Sequence, residues 1–274
     1  MIQYGYINEL LMIENISKPI ISIEDIDLTY SIYTSASTGT PKGVLIEHKS
    51  INNYLVTNPK NIHIWKLVNN AKTFLSVTTV SFDRSLKEIM GSLCNGLSLV
   101  FAGDDSVHDP TRLVDLFNEI NADTFNTTPS VMLEYMNYPL FLDALLIIMA
   151  GGEKYPNTLR IKILENISNN SESEIVLFNT YEPTEITVSS NAKILDENSK
   201  ITVGSPLHGY FEQVIDLDQN TLPPGIIGEV LISGKGVVRG YNNLEKENTS
   251  NFIEFNDKKL IKLEIMLNGL IIVK

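Results

Sequence analysis

The sequence predicts an α/β protein: a layered, largely parallel sheet with helices, followed by a smaller β-rich subdomain. Three observations predict it. Between residues 73 and 179, short apolar runs alternate with segments of helical period, which calls for parallel strands joined by crossover helices. From about Ile201 the helical signal fades, and strands are broken by Pro223-Pro224-Gly225 and by Gly234, Gly236 and Gly240. At 274 residues, 43% hydrophobic and 20% charged, the chain can bury a sizeable core.

Residues 1–26 form a poorly patterned lead with turn signals at 15–19. Tyr30, Ile32 and Tyr33 then read as a buried strand, and 44–46 as a second, short one. A helix is expected over 49–56 and a strand over 73–78. Phe82, Leu86, Ile89, Met90, Leu93 and Cys94 recur at helical spacing on one face, and Asn95-Gly96 ends that helix. After a strand at 97–102, Asp109 and Pro110 read as N-cap and first position of a helix running to 120. Strands at 123–126, 145–150 and 175–179 alternate with helices at 129–136 and 157–167. The β-rich part carries strands at 211–215, 228–232 and 270–273. The division is a lead at 1–26, an α/β core at 27–200 and a β-rich subdomain at 201–274.

A net charge of −12 argues against a nucleic-acid or anionic-membrane partner, since either needs a basic face. The single Cys94 excludes an intrachain disulfide, fits a reducing compartment and is expected to be a buried small apolar residue. No Cys/His cluster suggests a metal centre. The N-terminus, with Glu9 and Glu14 and no basic lead, is not a signal peptide. The longest apolar run, 140–150, is broken by Asp143 and falls short of the roughly 20 residues a membrane span needs. A cytoplasmic protein acting on small molecules or proteins is expected.

Residues 28–48, LTYSIYTSASTGTPKGVLIEH, place a hydroxyl-rich loop between two strands. Thr34, Ser35, Ser37, Thr38 and Thr40 crowd hydroxyls and backbone N–H groups around Gly39, and Lys42 adds an ammonium, so the loop can wrap a phosphate chain. It ends in Pro-Lys-Gly before a strand, which is not a Walker loop. Tyr33 to Gly43 resembles the phosphate loop of adenylate-forming enzymes, in the form found in amino-acid adenylation domains of nonribosomal peptide synthetases. It departs from that pattern at Ala36, where glycine is usual. SFDRSLKEIMGSLCNG, IIMAGGEKYP, FNTYEPTE and the pair VGSPLHGY with GEVLISGKGVVRGY match the same family in order, so the resemblance covers Tyr30 to about Tyr241.

The resemblance implies the core of the adenylate-forming N-terminal domain, and it implies roles. Thr34, Ser35, Ser37, Thr38, Gly39, Thr40 and Lys42 would bind phosphates. Gly151, Gly152, Glu153, Asn179 and Tyr181 would hold adenine. Thr184 and Glu185 would act in catalysis, Thr184 at the α-phosphate and Glu185 as the Mg2+ ligand, a hard oxygen donor suited to a metal shared with triphosphate. Asp83 would pair with the substrate's α-ammonium, a charge that fatty and aryl acids lack. Arg84, Lys87, Asn126, Ile148, Ala150, Thr180, Val188 and Ser189 would complete the substrate pocket. Arg84 and Lys87 suit an acidic substrate side chain if they point inward; on a solvated helix face they specify nothing.

The chain also departs from the family. Glu182 stands where glycine precedes the proline, and a like charge about 6 Å from phosphate costs about 2 to 3 kcal/mol at an effective ε of about 20. The ribose-clamping Thr-Gly-Asp is absent, with Leu263-Glu264 in its place and only the Asn268-Gly269 hairpin retained. The C-terminal domain with its catalytic lysine and the thiolation site have no counterpart. The implied protein is a core truncated at both ends, using ATP and Mg2+ to convert an amino acid to aminoacyl-AMP and pyrophosphate. Phosphopantetheine would belong to a separate carrier domain. Its partners would be the amino acid and a carrier protein or a complementing piece of adenylation domain. Two alternatives stand: a catalytically inactive remnant acting as a binding module or without function, and an acyl-CoA or aryl-acid ligase relative, against which Asp83 argues.

Overall fold

The computed structural model describes residues 21–34, 41–138, 145–170, 175–255 and 258–263. The loop residues Ser35, Ser37, Thr38, Gly39 and Thr40, most of the expected lead and the expected strand at 270–273 lie outside them.

A seven-stranded sheet organises the described residues. Its strands are β3 (Thr73–Ser76), β4 (Ser98–Phe101), β5 (Thr124–Thr127), β6 (Ile147–Gly151), β7 (Val176–Tyr181), β8 (Asn191–Ile194) and β9 (Ser205–Pro206), in the order β4-β3-β5-β6-β7-β8-β9. The pairings from β4 to β7 are parallel, and β8 and β9 add antiparallel. The helices between the strands are α3 (Arg84–Leu93), α4 (Asp104–Val107), α5 (Pro110–Ile120), α6 (Pro129–Tyr135) and α7 (Asn157–Asn170). Asp109 caps α5 by accepting from the amides of Thr111 and Arg112, with Pro110 in its first turn. The order in which strands are added reverses between β3, which leads outward to β4, and β5, which leads the other way to β6. Such a switch point leaves a crevice at the carboxyl ends of its two strands.

Two cores flank this sheet. On one face Leu113, Phe117, Met132, Leu159 and Ile163 of α5, α6 and α7 pack against Phe125, Ile148 and Leu177. On the other, α1 (His48–Leu55) and α2 (Ile62–Asn70) supply Ile51, Tyr54, Ile64 and Leu67 against Ile147, Met149 and Phe178. That second core continues into Val230, Ile232 and Ile261 of a four-stranded antiparallel sheet of β10 (Tyr210–Ile215), β11 (Glu229–Gly234), β14 (Lys258–Leu263) and β13 (Phe252–Phe255). Ahead of β13 lies α8 (Glu245–Asn251). Asn61, fully buried, donates to the carbonyls of Asn53 (2.9 Å) and Val56 (3.0 Å) and accepts from the His208 amide (3.0 Å), so one amide latches α1 and α2 to the β-rich part.

The third sheet is β1 (Leu28–Thr34), β2 (Lys42–Glu47) and β12 (Gly240–Tyr241), in that order. Pairing of β2 with β12 and of β8 with β9 crosses the expected division near residue 200. β1 is not the buried strand expected, because among the described residues only β2 flanks it; Tyr33 is 64% exposed and lies over Gly43.

The inward face of α3 differs from expectation too. Phe82 and Leu93 are exposed and Cys94 lies on the surface, while Ser85, Lys87, Glu88, Gly91 and Ser92 are buried. The helix covers the carboxyl end of β3, where the amides of Val77 and Thr78 have left the ladder and need an acceptor. Glu88 Oε2 accepts from both at 3.1 Å and from the Ser76 hydroxyl at 2.7 Å.

Candidate active site

The polar face of α3 meets side chains from the carboxyl ends of β5 and β7. Asn126 at the end of β5 donates to Glu88 Oε1 at 2.9 Å and accepts from Lys87 Nζ at 3.4 Å. Lys87 also donates to Glu182 Oε1, and Arg84 Nε donates to Glu182 Oε2 at 2.9 Å. Thr180 Oγ1 completes the group at 2.6 Å from Glu182 Oε1. The side chain of Lys87 is wholly buried and that of Glu182 is 4% exposed. Burial pushes the Glu182 carboxyl up, but Lys87 and Arg84 outweigh it and hold the group at about 2. Arg84 and Lys87 therefore point inward, and the anion of the unexpected Glu182 is neutralised by the chain's own cations.

Asp83, 7% exposed, lies one residue before α3. Its Oδ2 has no hydrogen-bond partner, and its carboxyl is pushed up to about 6 by burial and then by Glu182, against the opposing pull of the Val188 amide, Lys87 and Thr184. The turn that brings Val188 there holds both Thr187 (φ 58°) and Val188 (φ 64°) in the left-handed region, at a cost on the order of 1 to 3 kcal/mol for each such residue. The Thr187 hydroxyl donates to the Gly236 carbonyl at 2.8 Å and pins the turn. Ser189 is buried with its hydroxyl unpartnered.

A second group lies at β2, β12 and the turn after β7. Lys42 Nζ sits 5.0 Å from the centre of the Tyr241 ring, and the Tyr241 hydroxyl donates to Glu185 Oε1 at 2.9 Å. Thr34 and Lys42 are register partners of β1 and β2. Glu185 is half-buried with one oxygen fixed, the hard donor Mg2+ takes, so the residues present fit the ion. Among the described residues no cluster of three metal-binding side chains exists. Tyr181, half-buried, is pushed up to about 12 by burial and then by Glu212 and Glu185.

Other expected residues are not brought together. Asn126 is opposite Met149 and Thr180 is opposite Gly151 in register, so these four share the α3 side of the sheet. Ile148 and Ala150 belong to the opposite core with Phe125 and Leu177. Asn179, paired with Ala150, sends its amide to the Thr202 carbonyl at 2.9 Å. Glu153 accepts from the Ser130 amide at 3.2 Å at the start of α6. At Gly151 and Gly152 (φ 78°) the space a Cβ would need is occupied by Thr180, Glu182 and the Arg84 guanidinium, which donates to the Gly151 carbonyl at 2.9 Å. Glu88 and Tyr241 carry no motif role of their own; their one signal in the sequence is position inside the matched motifs.

The AMP-binding enzyme family matches residues 11–242. Malpinin synthetase of Mortierella alpina is 31% identical over 86% of this chain and 3% of its own length. Indigoidine synthase of Streptomyces lavendulae is 33% identical over 83% of this chain and 18% of its own. The chain thus spans a small part of the relatives it matches. Among solved structures, the four-domain nonribosomal peptide synthetase holo-AB3403, bound to AMP and glycine, superposes with a TM-score of 0.72 at 26% identity, over 86% of this chain and 17% of that one. The Klebsiella oxytoca NpsA N-terminal subdomain, in complex with 3-hydroxyanthranilyl-AMSN, gives 0.75 at 22% identity over 90% and 61%, a likeness of fold. With a family match spanning most of its length, its relatives nonribosomal peptide synthetases and its fold that of their adenylation-domain subdomains, this chain belongs to the AMP-binding enzyme family.

Proposed function

We propose that the cleft binds ATP and a free amino acid and joins them as an aminoacyl adenylate. The observation that carries this reading is Asp83: a buried carboxylate with an unpartnered oxygen calls for a cation, and an α-ammonium supplies it. In the reaction the amino-acid carboxylate oxygen bonds to the α-phosphorus of ATP, and the bond from that phosphorus to the bridging oxygen breaks, so the electron pair leaves with pyrophosphate. Asp83 orients the substrate by its ammonium, Thr184 meets the α-phosphate, Lys42 meets the phosphate chain, and Tyr181 packs on adenine. Glu185 would hold Mg2+, which when bound spreads the charge of the phosphate oxygens. Phosphopantetheine enters only through a carrier protein acting on the product.

Calorimetric titration with MgATP, using Lys42→Ala and Glu185→Ala as controls, tests the nucleotide half. Saturable binding lost in both variants supports the reading; absence of binding by a folded chain overturns it. Titration with amino acids, compared with Asp83→Ala, tests the substrate half. Glu182 favours a second reading, a nucleotide-binding module without turnover, in which MgATP binds and no amino acid does.

A further inference from the structure

We propose that Glu182 is a tethered occupant of a carboxylate-binding site formed by Arg84, Lys87 and Thr180, so that this chain excludes acidic side chains from the compartment and its Glu182→Gly form takes up a free carboxylate there. The inference deepens the amino-acid reading and rests on it for calling the compartment a substrate's; the carboxylate site stands on geometry alone.

Both oxygens of Glu182 are engaged by side chains that reach it from separate elements. Oε2 takes Arg84 Nε at 2.9 Å; Oε1 takes Thr180 Oγ1 at 2.6 Å and the Lys87 ammonium. Lys87 is anchored from behind by Asn126, itself bonded to Glu88, so the cation is built into the site. Room for the carboxylate comes from Gly151, where a Cβ would stand 2.7 Å from Glu182 Cδ. Its own backbone, followed by Pro183, is the tether. When that anion is removed, the wholly buried Lys87 ammonium and the partly buried Arg84 guanidinium lose the acceptor they share, and a group of carboxylate size and charge restores the pairing. Replacing a buried ion pair by apolar side chains is often neutral or stabilising, so fold stability alone does not account for retaining this cluster.

The test is the thermal unfolding midpoint of Glu182→Gly in sodium acetate against sodium chloride at equal ionic strength, with the parent chain and Glu182→Gln alongside. Stripping the anion from the pair should lower the midpoint by about 10 °C. Acetate should recover at least about half of that shift saturably, and chloride should not. The parent and Glu182→Gln, whose compartment remains filled, should not respond to acetate. No acetate-specific rise, an equal rise in the parent, or a Glu182→Gly chain that stays unfolded in acetate while Glu182→Gln folds would each overturn the proposal. The readout involves neither ATP nor an amino acid, so its failure and failure of the adenylation reading are separate results.

Discussion

The Tyr241 hydroxyl donates to Glu185 Oε1 at 2.9 Å, tying the short strand β12 to the turn that follows β7. The same ring carries the Lys42 ammonium 5.0 Å from its centre, so one tyrosine sets both a cation and a carboxylate of the proposed nucleotide site. Tyr241→Phe retains the ring and removes a donor to a charged acceptor, an interaction of about 1.5 to 3 kcal/mol. MgATP affinity, read by calorimetric titration, should fall at least about tenfold. Unchanged affinity would show that Glu185 needs no fixing.

Asp83 makes stability depend on pH in a definite direction. Its folded value, about 6, exceeds its ordinary 3.8, so its contribution is fully present below 3.8 and lost as pH rises through 6. The loss amounts to about 3 kcal/mol. Asp83→Asn should therefore be more stable than the parent above pH 6 by up to that amount, with the advantage vanishing toward pH 4. His63, held neutral by burial and then Lys87 at about 3, slopes the other way but is common to both chains and cancels in the difference. Urea unfolding of the pair across this range gives the difference curve; a flat one would contradict the burial of a charge.

Glu88 gathers Ser76, Val77, Thr78 and Asn126 around one carboxylate. Glu88→Ala strands two amides and leaves Lys87 with one fewer anion nearby, and it should cost about 3 to 5 kcal/mol in chemical denaturation. A loss below about 1 kcal/mol would mean that these groups find other acceptors.

Asn61 is the latch between α1, α2 and the loop at His208. Asn61→Ala removes two donors' worth of contact and one acceptor inside a fully buried site, and should cost at least about 2 kcal/mol. Hydrogen exchange should show the loss at the His208 amide as well as in α1.

Much of this fold is legible in the residues themselves, because its signals are local. The Asp109-Pro110 cap and the Asn95-Gly96 stop act within one turn, and each lies where expected. α2 carries no such signal: Asn61, at its N-cap, spends its side chain on the latch instead of on the helix. The partnership of Lys87 with Glu182 joins positions 95 apart and leaves no periodic trace. Apolar spacing does not mark the inward face of α3, because burial there follows hydrogen-bond demand at a strand end rather than apolarity. Ile148 and Ala150 fell on the other face because β6 is buried on both sides, and a strand without alternation does not show which side a residue takes.

The β2–β12 pairing also bears on how the chain is made. Glu47 and its partner Arg239 are 192 positions apart, and Val44 and Ile46 find their cover in Val238 and Tyr241. At about 5 to 20 residues per second, a ribosome delivers β12 about 10 to 40 s after β2 has emerged. Throughout that interval the hairpin bearing Lys42 waits with an open edge and uncovered valine and isoleucine, a template for wrong pairing. The proposed nucleotide site is thus among the last parts of the molecule to close, and a nascent chain arrested before residue 240 would hold Lys42 without its tyrosine.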